Sequence, residues 1–263
     1  MIKKNNKYIK KRRNKIMIIK LLFLISFIVI GFSIFACKSD FFTIKKVAIL
    51  GNPAMSGEDV KEKTEYLIGQ NILFIDKEHI NSQAKSNAYV EAVKIKKIYP
   101  RQVNITLSEK KAIYYVEIDD KIYVLSDKLV VLEDSANIEN RSLIKLNGIT
   151  IDNPVLGQIG IKDERILNIL TIFSKIAEVN PTNFNIDSID LADLMNIKVY
   201  IGEVEGRLGN DENLPDKMNK LMHIIEDPSI ELKKGYVDVG FEGSPIYYSC
   251  LLYTSPSPRD GAT

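Results

Sequence analysis

Tryptophan is absent from the 263 residues, and cysteine and histidine appear only twice each. Cys37 closes an apolar run and Cys250 opens the C-terminal tail. Neither belongs to a C-x-x-C pair, and neither has a histidine near it in sequence, so a disulfide framework and a zinc site are unsupported. His79 lies in an Asp-Lys-Glu-His-Ile stretch and reads as a solvated residue on a charged helix face, while His223, between Met222 and Ile224, reads as a helix-packing residue. Neither has the serine, cysteine or aspartate company that a hydrolytic site needs. Residues 51–57, Gly-Asn-Pro-Ala-Met-Ser-Gly, lack the Gly-Lys-Ser/Thr ending of a phosphate loop. The chain is therefore expected not to be an enzyme, with no catalytic residue, cofactor or metal.

Acid is missing from the first 39 residues; the first is Asp40. Nine Lys and Arg fall within residues 1–20, so of a formal net charge of +2 the remainder of the chain carries −7. An acidic body argues against a general nucleic-acid footprint, and no nucleic-acid partner is expected. Residues 21–37, LLFLISFIVIGFSIFAC, are uncharged, and counting back to Ile16 lengthens the run with Lys20 as its one charge. Seventeen residues is the short end of a bilayer span, and Lys20 can snorkel to the headgroups. With basic charge on one flank, the N-terminus is expected to stay cytoplasmic and the bulk to lie outside. A cleaved signal peptide needs a small-x-small site, which Phe35-Ala36 serves poorly, and a lipoprotein signal at Cys37 wants a small residue where Phe35 stands. The uncleaved anchor is the preferred reading.

Beyond the anchor, residues 41–109 read β-α-α-β-β. Residues 44–50 make a strand stopped by Gly51-Asn52-Pro53. Ser56 with Asp59 suggests a capping box, and Val60, Tyr66, Leu67 and Ile68 give an apolar helix face ended by Gly69. Asp76 caps a second helix; Val93 and Ile95 alternate with lysines in a second strand; Tyr99-Pro100 turns the chain; and Val103, Ile105 and Leu107 point inward from a third. Residues 111–248 form a second domain. A hairpin turns at Asp119-Asp120, a strand covers residues 129–132, and a helix starts at Asp163. Strands follow at 185–191, 196–201 and around Arg207-Leu208, then a helix over 214–225 and strands at 236–241 and 245–248. The fold class expected is α+β: a transmembrane helix, the small α/β module, and a mostly antiparallel β-domain with two helices. The tail, residues 249–263, is rich in Ser and Pro and lacks the Ile, Lys and Asn bias of the rest. It is expected to be disordered and non-native.

This order of features resembles the bacterial cell-division family FtsQ/DivIB, and the first module resembles its POTRA domain. The most telling stretch is Tyr89-Val90-Glu91-Ala92-Val93-Lys94-Ile95-Lys96-Lys97-Ile98-Tyr99-Pro100, followed by residues 103–109. Here Tyr89 stands where the family has Pro, Lys97 where it has Arg, and Tyr99 where it has Trp. Leu208-Gly209 with Leu214, Lys217, Leu221 and Ile224-Ile225 is similar to a second family pattern, and Tyr236-Val237-Asp238-Val239 to its closing strand. The resemblance implies a scaffold of the division complex at the septum. It would bind two small bitopic coiled-coil proteins outside the membrane, one FtsL-like and one FtsB/DivIC-like, without a small-molecule substrate. It further implies that the final strand is an open edge accepting a partner strand, which puts Phe241, Gly243, Ser244, Ile246 and Tyr247 at the partner-binding site. Pro245 departs from the pattern and removes one donor. The alternative is a POTRA-type membrane-anchored binding module in protein export or envelope assembly.

Overall fold

A computed structural model of the chain describes residues 3–138, 141–179, 185–230 and 232–250, with residues 3–10 described by backbone alone. Contacts divide the chain at Glu109/Lys110 into two units.

The first unit opens with α1, Lys3–Lys38, 36 residues, which at 1.5 Å per residue is about 54 Å long. The basic segment, read in sequence as a stub apart from the span, is the first part of this same helix. Lys, Arg, Ile and Met sustain a helix, and no proline interrupts it. From residue 11 to 38 every side chain is exposed except that of Ala36. A long helix that is apolar around its circumference and covered by no protein is long and apolar enough to cross a membrane once.

The rest of the unit is a three-stranded sheet under two helices. β1 is Lys46–Leu50, β2 is Val90–Ile98 and β3 is Gln102–Glu109, in the order β1-β3-β2. β1 runs parallel to β3 and β2 antiparallel. α2, Gly57–Thr64, and α3, Lys77–Lys85, cover one face. Val103, Ile105 and Leu107 alternate inward from β3 and meet Ile44, Val60, Leu67, Ile72 and Ile80 in one core. Asp76 caps α3 as its position suggests, accepting the N–H groups of Glu78 and His79.

The capping box at Ser56 does not form. Ser56 makes no side-chain cap bond. Its hydroxyl instead donates to Glu109 Oε1 (2.7 Å), and the same carboxylate accepts the N–H groups of Ala54, Met55 and Ser56. Asp59, the other half of the expected box, pairs with Lys63 and accepts from Asn87. A carboxylate from the far end of β3 has thus gathered the N–H groups of the segment that leads into α2, that of the N-cap Ser56 among them. The helical face also ends earlier than its apolar pattern: residues Glu65–Leu67 tighten into a 3-10 turn that leaves Tyr66 and Ile68 exposed.

The second unit is a nine-stranded sheet. Its strands are β4 (Ala112–Ile118), β5 (Lys121–Ser126), β6 (Val131–Ser135), β7 (Ile144–Asn147), β8 (Ser188–Asp190), β9 (Ile197–Ile201), β10 (Glu203–Gly209), β11 (Lys234–Asp238) and β12 (Ile246–Ser249). They lie in the order β12-β11-β10-β9-β8-β7-β4-β5-β6. Most ladders are antiparallel, but β4–β7, β7–β8 and β10–β11 are parallel. Two of these parallel pairs are joined through helices, as a parallel crossover requires: α4, Glu164–Val179, lies between β7 and β8, and α5, Leu214–Glu226, between β10 and β11. Asp119 and Asp120 both have positive φ, the conformation of a two-residue hairpin turn between β4 and β5.

Both helices contribute to one apolar core against one face of this sheet. Ile197, Val199 and Ile201 alternate into it from β9, and Val204, Gly206 and Leu208 from β10. α5 packs closely over Gly206, since a Cβ there would lie 2.4 Å from Leu221 Cδ2. The buried Tyr114 hydroxyl donates to the Leu170 carbonyl of α4 (2.6 Å), and burial pushes its phenol far above the usual tyrosine range.

Candidate functional site

The sheet of the second unit has two margins, and they differ. At β6 the outer groups of the first residue, Val131, are taken up by the chain itself. Val131 N–H donates to Gln158 O (2.9 Å), Gly157 N–H donates to Val131 O (2.8 Å), and Val130 bridges Ile159. At the other margin β12 pairs with β11 alone, and among the described residues no strand lies beyond it.

The register fixes which β12 groups face outward. Tyr248 lies opposite Tyr236, Tyr247 opposite Val237 and Ser249 opposite Gly235. Cys250 N–H donates to Lys234 O (2.8 Å), so 250/234 is a hydrogen-bonded pair. Such pairs alternate in an antiparallel ladder. Tyr248 and Ile246 therefore turn their backbone groups toward β11, and Tyr247 and Ser249 turn theirs away from the sheet. Pro245 stands two residues before Tyr247, on the outward row. Its missing donor is lost from the free edge and not from the protein's own ladder, which is where an edge strand tolerates proline.

The side chains sort by the same parity. Tyr247 shares a face with the fully buried Val237 and is itself half-exposed at the margin. Tyr248 lies on the opposite face, stacked on Tyr236 with ring centroids 5.9 Å apart. The Arg207 guanidinium sits 4.0 Å over the Tyr236 ring. Arg207 also donates to Glu205 Oε1 (2.7 Å), and Lys198 approaches the same oxygen (3.5 Å). Partial burial alone pushes the Glu205 carboxyl up, but Arg207 and Lys198 outweigh it and hold it below the usual range; Glu205 in turn raises Arg207. The face therefore carries a row of three charges followed by two rings that ends on the edge strand, each contact a modest cross-strand term.

Of the residues expected to bind a partner, Ile246 and Tyr247 lie on β12, while Phe241, Gly243 and Ser244 form the bend that leads into it. Phe241, Ile246 and Tyr247 are exposed. Gly243 has φ +143°, and its Cβ position lies against the Phe241 ring, so the bend and the ring are set together. Sequence reasoning missed Ser249 as an outward-facing residue, because it ended the strand at Tyr248. It also missed the Arg207–Tyr236–Tyr248 stack, whose members come from three strands. Ser249 belongs to β12 and not to the tail; residues 251–263, the remainder of the expected disordered segment, lie outside the described residues.

Elsewhere the described residues assemble little that could carry chemistry. Both cysteines are free and exposed, and no three His, Cys, Asp or Glu side chains among the described residues converge to hold a metal. His79 is exposed and touches Tyr66 edge-on. His223 is exposed as well, contrary to its expected packing role, because α5 buries Met222 and Ile225 and turns the residue between them outward. A cavity of about 330 Å³ is lined in part by Lys111, Arg141 and Asp187. Two of its cations already face acids: Arg141 pairs with Glu133, and Lys111 approaches Glu178.

Residues 42–110 match the family described as POTRA domain, FtsQ-type. Over 244 residues the chain is 31% identical to the cell division protein DivIB of Clostridium botulinum strain Hall, covering 91% of this chain and 94% of that protein. It is 28% identical to DivIB of Clostridium acetobutylicum, over 80% of this chain and 84% of that protein. It is 24% identical to the cell division protein FtsQ of Syntrophotalea carbinolica, over 76% of this chain and 70% of that protein.

Proposed function

The chain belongs to the FtsQ/DivIB family of cell-division proteins, and from that premise we propose that it is a membrane-anchored, non-enzymatic scaffold of the division complex. In this reading α1 crosses the membrane with its nine-cation end in the cytoplasm, held there by the one-sided charge. Both folded units stand outside, at the septum. The β12 edge accepts an extended segment of a small bitopic division protein of the FtsB/DivIC-like kind, and an FtsL-like protein joins through that complex. The POTRA-type export role expected as the alternative has no comparable support in the relatives, which are named as division proteins.

The observation that carries the docking half of this reading is the outer side of β12: residues 157–159 cover the start of β6, while among the described residues nothing pairs with the outward row of β12. An unpaired edge beside exposed side chains is the geometry of strand addition, where main-chain bonds supply affinity and side chains supply register. Phe241 and Tyr247 supply the apolar contacts next to that row. The test is a Phe241→Glu/Tyr247→Glu double variant in a pull-down with the FtsB/DivIC-like partner, with thermal melting to verify the fold. Capture should be lost and the melt retained; undiminished capture would count against edge docking. A fluorescent fusion should gather at mid-cell, and an even distribution around the envelope would count against the division role itself.

A further inference from the structure

Three exposed aromatic side chains crowd the end of the first unit where α1 stops. Phe41 sits in the 3-10 turn Asp40–Phe42 that follows the helix, Phe74 in the loop before α3, and Tyr99 in the turn between β2 and β3. They are 50%, 66% and 58% exposed, and together they make an exposed apolar patch at this end. The three segments are tied to the helix end and to one another. Asn71 Nδ2 donates to Ala36 O (2.7 Å), Arg101 Nε donates to Phe41 O (3.2 Å) with its guanidinium beside the Phe41 ring, and Lys97 Nζ donates to Leu73 O (3.0 Å).

Those bonds set the depth of this end. The uncharged run ends at Cys37, so Ala36 lies at the boundary of the hydrocarbon, and the headgroup layer beyond is only about 5–8 Å deep. A loop whose Asn71 amide touches the Ala36 carbonyl therefore stands in that layer, and Phe74 follows three residues later. The cations here are Lys38, Lys97 and Arg101, with Lys77 close to Lys97; the acids are Asp40 and Asp76, and Asp76 is occupied in capping α3. Partial burial and the neighbouring ammonium of Lys77 hold Lys97 below the usual lysine range, an arrangement that an anion placed between them would relieve.

We propose that this end of the POTRA domain is a lipid-docking surface: Phe41, Phe74 and Tyr99 enter the interface of the outer leaflet, while Lys38, Lys97 and Arg101 bind anionic headgroups. Aromatic rings and basic side chains at headgroup depth are the chemistry of membrane-interface anchoring. The surface is continuous with the membrane-crossing helix, which makes lipid its nearest neighbour in the absence of any other protein. The inference rests on α1 spanning the bilayer. Its consequence is that the POTRA domain is held against the membrane and does not swing freely on its anchor.

The chain's lack of tryptophan supplies the test. The full-length protein carrying Phe74→Trp, or Leu50→Trp at the opposite end of β1, is reconstituted into vesicles. Leu50 is also exposed, and it lies about 15 Å further along the strand. Phosphatidylcholine brominated high on its acyl chains should quench tryptophan 74 several-fold more strongly than tryptophan 50. Replacing half the lipid by phosphatidylglycerol should deepen the difference, and high salt should reduce it. Weak and equal quenching of the two, in protein that floats with the vesicles and resists alkaline extraction, overturns the proposal while leaving the anchor standing. Quenching indifferent to phosphatidylglycerol and salt overturns headgroup binding. Protein that fails to float overturns the anchor and the docking surface together. Tyr99→Trp repeats the measurement if Phe74→Trp disturbs the melting profile.

Discussion

Tyr247→Pro and Tyr248→Pro differ by one position, and the register of β12 gives them opposite consequences. The backbone groups of Tyr247 turn away from the sheet, so proline there removes one donor from the open row and none from the β11–β12 ladder. The domain should melt within about 0.5 kcal/mol of the parent, as surface changes usually do. A partner strand laid on the row would lose one bond and leave its own carbonyl unmatched, which costs about 1–3 kcal/mol, or about 5- to 150-fold in Kd. Tyr248→Pro removes instead a donor aimed at Tyr236, in a strand of only four residues, along with the ring stacked there. It should detach β12 and lower the stability of the edge itself. Titration calorimetry of full-length protein in nanodiscs against the purified partner, with parallel thermal melts, separates the two. A Tyr247→Pro protein that binds as tightly as the parent, or one that unfolds as Tyr248→Pro does, refutes the assigned parity.

Three further predictions concern the framework. In Glu109→Gln the carboxylate that gathers the Ala54, Met55 and Ser56 N–H groups loses its charge, and the part-exposed site should cost about 1 kcal/mol at neutral pH. Burial raises the Glu109 carboxyl, but the Ser56 hydroxyl and the three N–H groups outweigh it and leave it below the usual range. Its stabilisation is therefore complete above the unfolded pKa of about 4.3 and is lost as pH falls through the lower folded value. Acid melting curves of parent and variant should converge below that window, and a constant gap at all pH would contradict the assignment. Tyr114→Phe removes the buried bond to the Leu170 carbonyl and should destabilise the second unit by about 1–3 kcal/mol in urea unfolding, leaving the first unit's transition unchanged. Gly206→Val forces a side chain into Leu221 and Val199, and should cost about 1–3 kcal/mol by overpacking, read as a lower melting temperature.

Strict alternation made the strands legible. Val103, Ile105 and Leu107 point inward as their period requires, and so do Leu214, Met218, Leu221, Met222 and Ile225 at helical spacing. Asp76 caps α3 because that contact is local. What escaped reading was non-local. Ser56 and Asp59 have the spacing of a capping box, yet Glu109, remote in sequence, outcompetes it with a charged acceptor. β7 is four residues long, too short for its alternation to stand out even with Asn147-Gly148 at its end; it exists because β4 and β8 flank it. The parallel pairing of β10 with β11 depends on α5 crossing between them, which no local pattern encodes. At the candidate site, Phe241 and the entry glycine Gly243 came from the family resemblance, residue by residue. The outward row of Tyr247 and Ser249 was not legible, since the direction of a backbone amide follows from the partner strand and the register.

Amide hydrogen exchange at β12, resolved to single residues in the full-length protein with and without the FtsB/DivIC-like partner, reaches the docking edge directly. Tyr247 and Ser249 should exchange quickly alone and slow by at least an order of magnitude in the complex, while Ile246 and Tyr248, already bonded to β11, should change far less. A complex that forms while Tyr247 and Ser249 exchange as fast as before would show that the partner binds somewhere other than this strand.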